Sequence, residues 1–157
     1  MCQGLFQSFL TNLVGYDSSE ALIMRGRSEH PSLDLRIADA SSIPEPSGAF
    51  LAIITAGLFT SIPESEKRIA VVREIERLLA GNGMVFGVGF LRNDDMTYTE
   101  DGLFKASSGI EMKHFHLDEL RQMLSGFPSL QHRIVPATSL TGSALEAIQY
   151  TASKHIP

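Results

Sequence analysis

The chain has 157 residues, 43% of them hydrophobic and 20% charged, with a formal net charge of −5. That length suits about one domain around one core. No apolar run nears the ~20 residues of a membrane helix, and the interspersed charges form no basic stripe to neutralise a phosphate backbone. Neither a membrane nor nucleic acid is therefore expected as a partner. The only cysteine, Cys2, has no internal disulfide partner, and the amino terminus carries no basic region or cleavage site; a cytoplasmic location follows as an expectation.

In chain order, residues 4–12 place Leu5, Phe6, Phe9 and Leu10, with Leu13 beyond, at helical spacing. Residues 13–16 read as a short strand that ends at Asp17, and Ser18 or Ser19 caps a helix over 18–27 by accepting a bond from its first free amides. A second strand over 33–38 ends at Asp39, and the turn-rich stretch 41–48 follows as a loop. Residues 50–56 are apolar nearly throughout, the pattern of a central strand covered on both faces. Ser61-Ile62-Pro63-Glu64 fits a capping box. The helix after it carries Ile69, Val72, Ile75, Leu78 and Leu79 on one face, with Lys67, Arg68, Arg73, Glu74 and Arg77 mostly away from it. Ala80-Gly81-Asn82-Gly83 reads as its left-handed stop, and 84–90 as another buried strand.

The composition then turns polar over 92–113, as in a functional loop or lid. Leu117, Leu120, Met123, Leu124 and Phe127 mark a last amphipathic helix, and 130–136 with 145–152 suit an antiparallel hairpin turning at 141–143. The whole reads as a single α/β domain. It has an open, mostly parallel sheet flanked by helices and an antiparallel end.

Two carboxylates stand out in this layout. An acid at the carboxyl end of a parallel strand can accept both hydroxyl protons of a ribose, and one a strand away can accept from an adenine amino group. Asp17 and Asp39 occupy such places. The competing local reading makes them solvated strand-end acids that cap the following turns.

Cys2-Gln3-Gly4, the stretches Gly15-Tyr16-Asp17-Ser18-Ser19 and Arg36-Ile37-Ala38-Asp39-Ala40-Ser41-Ser42-Ile43-Pro44, and Leu78-Leu79-Ala80-Gly81-Asn82-Gly83 together resemble the class I, Rossmann-like S-adenosylmethionine-dependent methyltransferases. The resemblance implies S-adenosylmethionine as cofactor, with Asp17 and Ser18 at the ribose and Asp39 and the Ala40 amide at the adenine. It places Thr55, Ala56 and Gly57 at the methionine part and Gly4 in the glycine-rich loop. It assigns 1–91 to the cofactor and 92–113 to the acceptor side, with 114–157 as the closing helix and hairpin. Cys2-Gln3-Gly4 stands for only half of the glycine-rich loop, so the chain reads as truncated, without the family's first strand. Leu51 stands where the family has an aspartate. In the family's sheet order 3-2-1-4-5-7-6 the missing strand is the central one, which leaves strand edges open or forces strands two and four together.

Methyl transfer needs donor and acceptor held in line and water excluded, with a general base only when the acceptor must lose a proton. Candidates for that base are Asp94, Asp95, Tyr98, His114 and His116. The two histidines flank Phe115 and share a face if that stretch is extended; no metal site is expected. The resemblance implies a small-molecule acceptor, and a homodimer is among the expected assemblies. Two other readings are a methyltransferase-like module without catalysis and a nicotinamide-dependent oxidoreductase. The latter needs a full Gly-x-Gly-x-x-Gly turn that this sequence lacks.

Overall fold

The computed structural model describes residues 12–138 and 144–154. The chain divides into two compact units, Met1–Pro44 and Glu45–Pro157. Residues 4–11 of the expected helix over 4–12, with Cys2, Gly4 and the hairpin tip at 141–143, lie outside the described residues.

In the first unit, strands β1 (Val14–Asp17) and β2 (Asp34–Ile37) form a parallel pair, with helix α1 (Glu20–Glu29) between them in sequence. Ser19 is the N-cap of α1 and its side chain accepts from the Leu22 amide. Of the two serines considered for the cap, the second holds the position because Asp17 already accepts from the Ser19 amide. Arg27, in the last turn of α1, donates through Nε and Nη2 to the Leu35 carbonyl, at 2.9 and 2.6 Å, tying the helix end to β2. Ile23 is the buried contact residue of α1.

The second unit is built on a four-stranded sheet in the order β3 (Phe50–Ala56), β4 (Leu79–Phe90), β8 (Ala144–Ser153), β7 (Ser129–Thr138). β3 and β4 are parallel; β7 and β8 form the expected antiparallel hairpin. Helices α2 (Ser65–Leu78) and α3 (Leu117–Met123) supply the apolar cover, with Val71, Val72, Ile75, Leu78, Leu120 and Leu124 buried alongside Val85, Ile148 and Ala152 of the strands. The neighbours β1-β2 and β3-β4-β8-β7 match the family's strands 2-3 and 4-5-7-6. The chain is thus an α/β protein.

Four expectations need correction. First, among the described residues β3 pairs with a strand on one side only, so the apolar run does not stand there as a covered centre: Leu51 and Ile54 are 67% and 59% exposed. Second, α2 begins without a capping box. Its N-cap is Glu64, and Ser61 instead ends a 3-10 turn over Phe59–Ser61. Third, the buried stripe of α2 is rotated. Ile69 is exposed, whereas Val71, Arg68 and Glu74 are buried, because Arg68 donates to the Ile62 and Pro63 carbonyls and Glu74 pairs with Arg77. Fourth, no left-handed stop follows α2. Leu79 is already extended at φ −74° and ψ 129°, and β4 continues through Gly81 and Gly83, neither of which has a positive φ, with an irregularity in its pairing to β3, which passes from Leu79 to Met84. Fully buried Leu79 explains the small residue at 83, since its side chain lies 2.8 Å from where a Cβ there would sit.

Candidate functional site

In the first unit, Asp17 is the last residue of β1 and Asp39 lies two residues past the end of β2, so parallel pairing brings both to the same, carboxyl end of the pair. The carboxylate of Asp17 is exposed. Its Oδ1 accepts from the Ser19 amide at 2.7 Å, and its Oδ2 makes no hydrogen bond among the described residues. Asp39 is half-buried; its Oδ1 accepts from the Ser41 amide at 2.9 Å and the Ser41 hydroxyl at 2.7 Å. Each acid therefore has the local turn role of the competing reading, and Asp17 keeps an oxygen for a ligand hydroxyl. Ser18 is exposed beside it, and the half-buried Ala40 follows Asp39 with an amide that donates no hydrogen bond among the described residues.

In the second unit, the carboxyl end of β3 turns at Gly57, whose φ of +68° strains any side-chain-bearing residue. Its amide donates to the Val88 carbonyl at 2.9 Å. Ala56 is exposed, but the Thr55 side chain is buried and its hydroxyl lies 2.8 Å from the Tyr150 hydroxyl. Only the backbone of Thr55 is therefore left to face a ligand. Burial pushes the Tyr150 phenol up to about 12 despite the Thr55 hydrogen bond. Tyr150 reaches Thr55 across Gly87, where a Cβ would lie 2.0 Å from its ring.

Beside Gly57 at the end of β4 is a ring cluster that sequence spacing did not reveal. Phe90, Tyr98 and Phe104 surround His114, with ring centres 5.9, 5.6 and 4.4 Å away. His114 is buried, and desolvation pulls its imidazole down to about 4, so the ring is neutral at pH 7. Its Nδ1 lies 2.8 Å from the Tyr98 hydroxyl, which is itself 3.4 Å from Met96 Sδ. Given to the sulfur, the Tyr98 proton leaves the phenol oxygen to accept from Nδ1–H, and Nε2 is then the basic atom. Burial raises the Tyr98 phenol, against the pull of the Asn93 amide bond.

The polar segment folds as a hairpin, β5 (Leu103–Lys105) with β6 (Glu111–Lys113), and is anchored by charge. Lys113 is buried, donates to the Asp101 carbonyl and pairs with Glu119 at 2.9 Å, and stands over the Phe115 ring at 5.1 Å. Glu119 also lies 3.7 Å from Arg92. Burial pushes the Glu119 carboxyl up, but the bonds from Lys113 and the His116 amide outweigh it and hold it below the usual range. Burial lowers Arg68, the other cation over Phe115, against the pull of Glu119, Glu64 and Asp101.

The expectation that His114 and His116 share a face fails. His114 turns into the ring cluster, while His116 is exposed as the N-cap of α3, its amide bonded to Glu119. Asp94 and Asp95 are exposed. Among the described residues no group of three or more potential ligands could hold a metal ion, and no helix is long and apolar enough to cross a membrane.

A family model described as a methyltransferase domain matches residues 1–87. The chain belongs to that family, the class I S-adenosylmethionine-dependent methyltransferases. No curated protein matches it. Among solved structures it is similar to an S-adenosylmethionine-dependent methyltransferase from Methanosarcina mazei, at 20% identity and a TM-score of 0.81 over 89% of this chain and 81% of that one. It also resembles the YcgJ protein from Bacillus subtilis, at 16% identity and a TM-score of 0.69 over 97% and 86%. A third likeness is to the 1,6-didemethyltoxoflavin-N1-methyltransferase from Burkholderia thailandensis, solved with that compound and S-adenosylhomocysteine bound. It stands at 12% identity and a TM-score of 0.66 over 90% of this chain and 61% of that one. At these identities the methyltransferases share the fold with this chain.

Proposed function

We propose that this chain serves methyl transfer from S-adenosylmethionine to a small-molecule acceptor by in-line displacement. The observation that carries the reading is the pair of acids at the carboxyl ends of β1 and β2, in a chain whose family binds that cofactor. Asp17 fits a ribose: it is exposed, and Oδ2 can accept a hydroxyl proton while Oδ1 stays on Ser19. Asp39 and the Ala40 amide are the adenine contacts, and the backbone at Thr55, Ala56 and Gly57 holds the methionine part. Gly4 takes the loop role that the family resemblance gives it.

When bound, the cofactor supplies a methyl group on a sulfonium, which needs no protein nucleophile. The chain's task is then to align the acceptor and exclude water. The half-buried rings Phe90, Tyr98 and Phe104 give the acceptor side a neutral, apolar lining, which supports a small organic acceptor over a polyanion. Where the acceptor must lose a proton, His114 is the stronger candidate to take it. Its imidazole is unprotonated at neutral pH and Nδ1 is held by Tyr98. Exposed Asp94 and His116 lack such a setting. The low affinity of His114 for protons limits it to accepting one late, as the acceptor becomes cationic. The Burkholderia enzyme, whose name gives a heteroaromatic methyl acceptor, is consistent with a ring-lined site.

The test is photo-crosslinking with S-adenosylmethionine carrying a labelled methyl group. Labelling that S-adenosylhomocysteine blocks and a nicotinamide dinucleotide does not is the expected result. Transfer of label into a low-molecular-weight extract fraction, and not into protein or nucleic acid, identifies the acceptor class. Labelling without transfer to any fraction supports the module without catalysis; blocking by the dinucleotide alone supports the oxidoreductase.

A further inference from the structure

We infer that Tyr150 is a positioning residue for the cofactor: its hydroxyl, bonded to that of Thr55, fixes the backbone at Thr55, Ala56 and Gly57 in the orientation that receives the methionine part. The inference rests on the proposed methyl-transfer reading and uses residues of the second unit alone.

Thr55, Gly87 and Tyr150 stand in one row across β3, β4 and β8, with Thr55 opposite Gly87 and Gly87 opposite Tyr150. Neighbouring strands lie about 4.8 Å apart, so the outer two residues start from backbones about 10 Å apart. Side chains can bond over an intervening strand only where that strand puts nothing between them. Here it puts a glycine. A Cβ at position 87 would lie 2.0 Å from the Tyr150 ring carbon that carries the hydroxyl and 2.2 Å from the hydroxyl oxygen. The ring therefore crosses β4 at that point, and the two hydroxyl oxygens meet at 2.8 Å.

Packing alone does not call for this arrangement. Phenylalanine and valine of nearly the same shape would fill the space, and replacing both members of a buried hydrogen bond by apolar groups is close to neutral. What the hydroxyl pair adds is direction, because a satisfied buried bond specifies one arrangement where apolar contacts tolerate several. Both side chains are buried, so water does not compete for the bond. Burial also pushes the phenol up to about 12, so it keeps its proton at neutral pH.

The bond acts where the strand becomes a turn. Thr55 is the residue before the last of β3. Gly57, with its positive φ, is held by its amide on the Val88 carbonyl. Thr55 is thus fastened to β8 by its side chain and Gly57 to β4 by its backbone, with exposed Ala56 carried between them. These are the backbone units that the methyl-transfer reading gives to the methionine part. Fixing them beforehand removes an ordering cost from binding.

The test is calorimetry of the full chain with S-adenosylhomocysteine and with methylthioadenosine, which has the same nucleoside and sulfur but no amino-acid part. Tyr150→Phe and Thr55→Val each remove the bond and keep the shape. Each is expected to weaken S-adenosylhomocysteine at least about fivefold and methylthioadenosine less than about twofold. The two substitutions together should weaken it no more than either alone, since both remove one bond. Thr55→Ser, which keeps the hydroxyl, should bind as the unsubstituted chain does. Titrations are run below the melting range of the least stable variant, and if Tyr150→Phe does not fold, Thr55→Val and Thr55→Ser carry the comparison. Equal losses for the two ligands, S-adenosylhomocysteine affinity unchanged by both single substitutions, or a Thr55→Ser variant as weak as Thr55→Val overturns the inference and leaves the methyl-transfer reading standing. Binding of neither ligand by the unsubstituted chain overturns both.

Discussion

The two compact units divide their labour unevenly. Among the described residues, the first unit buries two hydrophobic side chains to below a tenth of their surface, Ile23 and Ile43. The fully buried large side chains, Phe115, Leu79, Leu120, Leu124, Ile148, Val71 and Val85, all belong to the second. A parallel pair of four-residue strands with one helix removes little apolar area from water, whereas a four-stranded sheet under two helices removes much. Yet the two strand-end acids, exposed Asp17 and half-buried Asp39, are in the first. Stability is concentrated where the candidate cofactor acids are not, so recognition and folding can be perturbed separately.

The contrast breaks most directly at Ile148, which is fully buried in β8. Ile148→Ala should cost about 2–4 kcal/mol in denaturant unfolding, whereas Leu22→Ala on the exposed side of α1 should stay within about 0.5 kcal/mol. A similar loss from both would mean that the first unit carries core the burial does not reveal. Gly87→Ala comes next. The Tyr150 ring occupies the space of the new methyl group, so overpacking should cost about 1–3 kcal/mol. Tyr150→Phe, which takes away the partner of the buried Thr55 hydroxyl, should cost about 1–2 kcal/mol.

His114 sharpens the comparison through pH. Its folded value of about 4 lies below the ordinary 6.5, so the unfolded chain binds more protons between the two. Its contribution is intact above 6.5, and stability is lost progressively as pH falls toward 4. The melting temperature should decline across that window, and His114→Phe should flatten the decline while keeping the ring packing. An unchanged acid limb in the variant would place the proton uptake elsewhere. A small effect on folding is expected at Asp17: losing its bond to the Ser19 amide should cost about 1 kcal/mol or less.

Much of this was legible in the residues. The strand-end positions of Asp17 and Asp39, the serine cap of α1 and the closing hairpin follow from local rules of period and capping. The apolar run 50–56 by itself read as a covered centre, because such a run reports what a strand can tolerate and not which neighbours it has; the open side of β3 among the described residues is one of the two outcomes that the family's absent first strand implied. The stripe of α2 was misread for a similar reason. Arg68 and Glu74 look like solvent residues by type, and are buried because carbonyls and a neighbouring guanidinium satisfy them. The ring cluster about His114 was invisible because it joins residues of three segments, at 90, at 98 and 104, and at 114. Two of the five base candidates then separated on burial alone, His114 inward and His116 outward.

The central claim is that the free carboxylate oxygen at the end of β1 receives a nucleoside. Calorimetry with S-adenosylhomocysteine tests it most directly, comparing the unsubstituted chain with Asp17→Asn, which keeps an oxygen for the Ser19 amide. Saturable binding that weakens at least about tenfold in the variant, with melting changed little, is the expected result. Equal affinity in the two proteins would contradict the claim, as would no heat of binding in either.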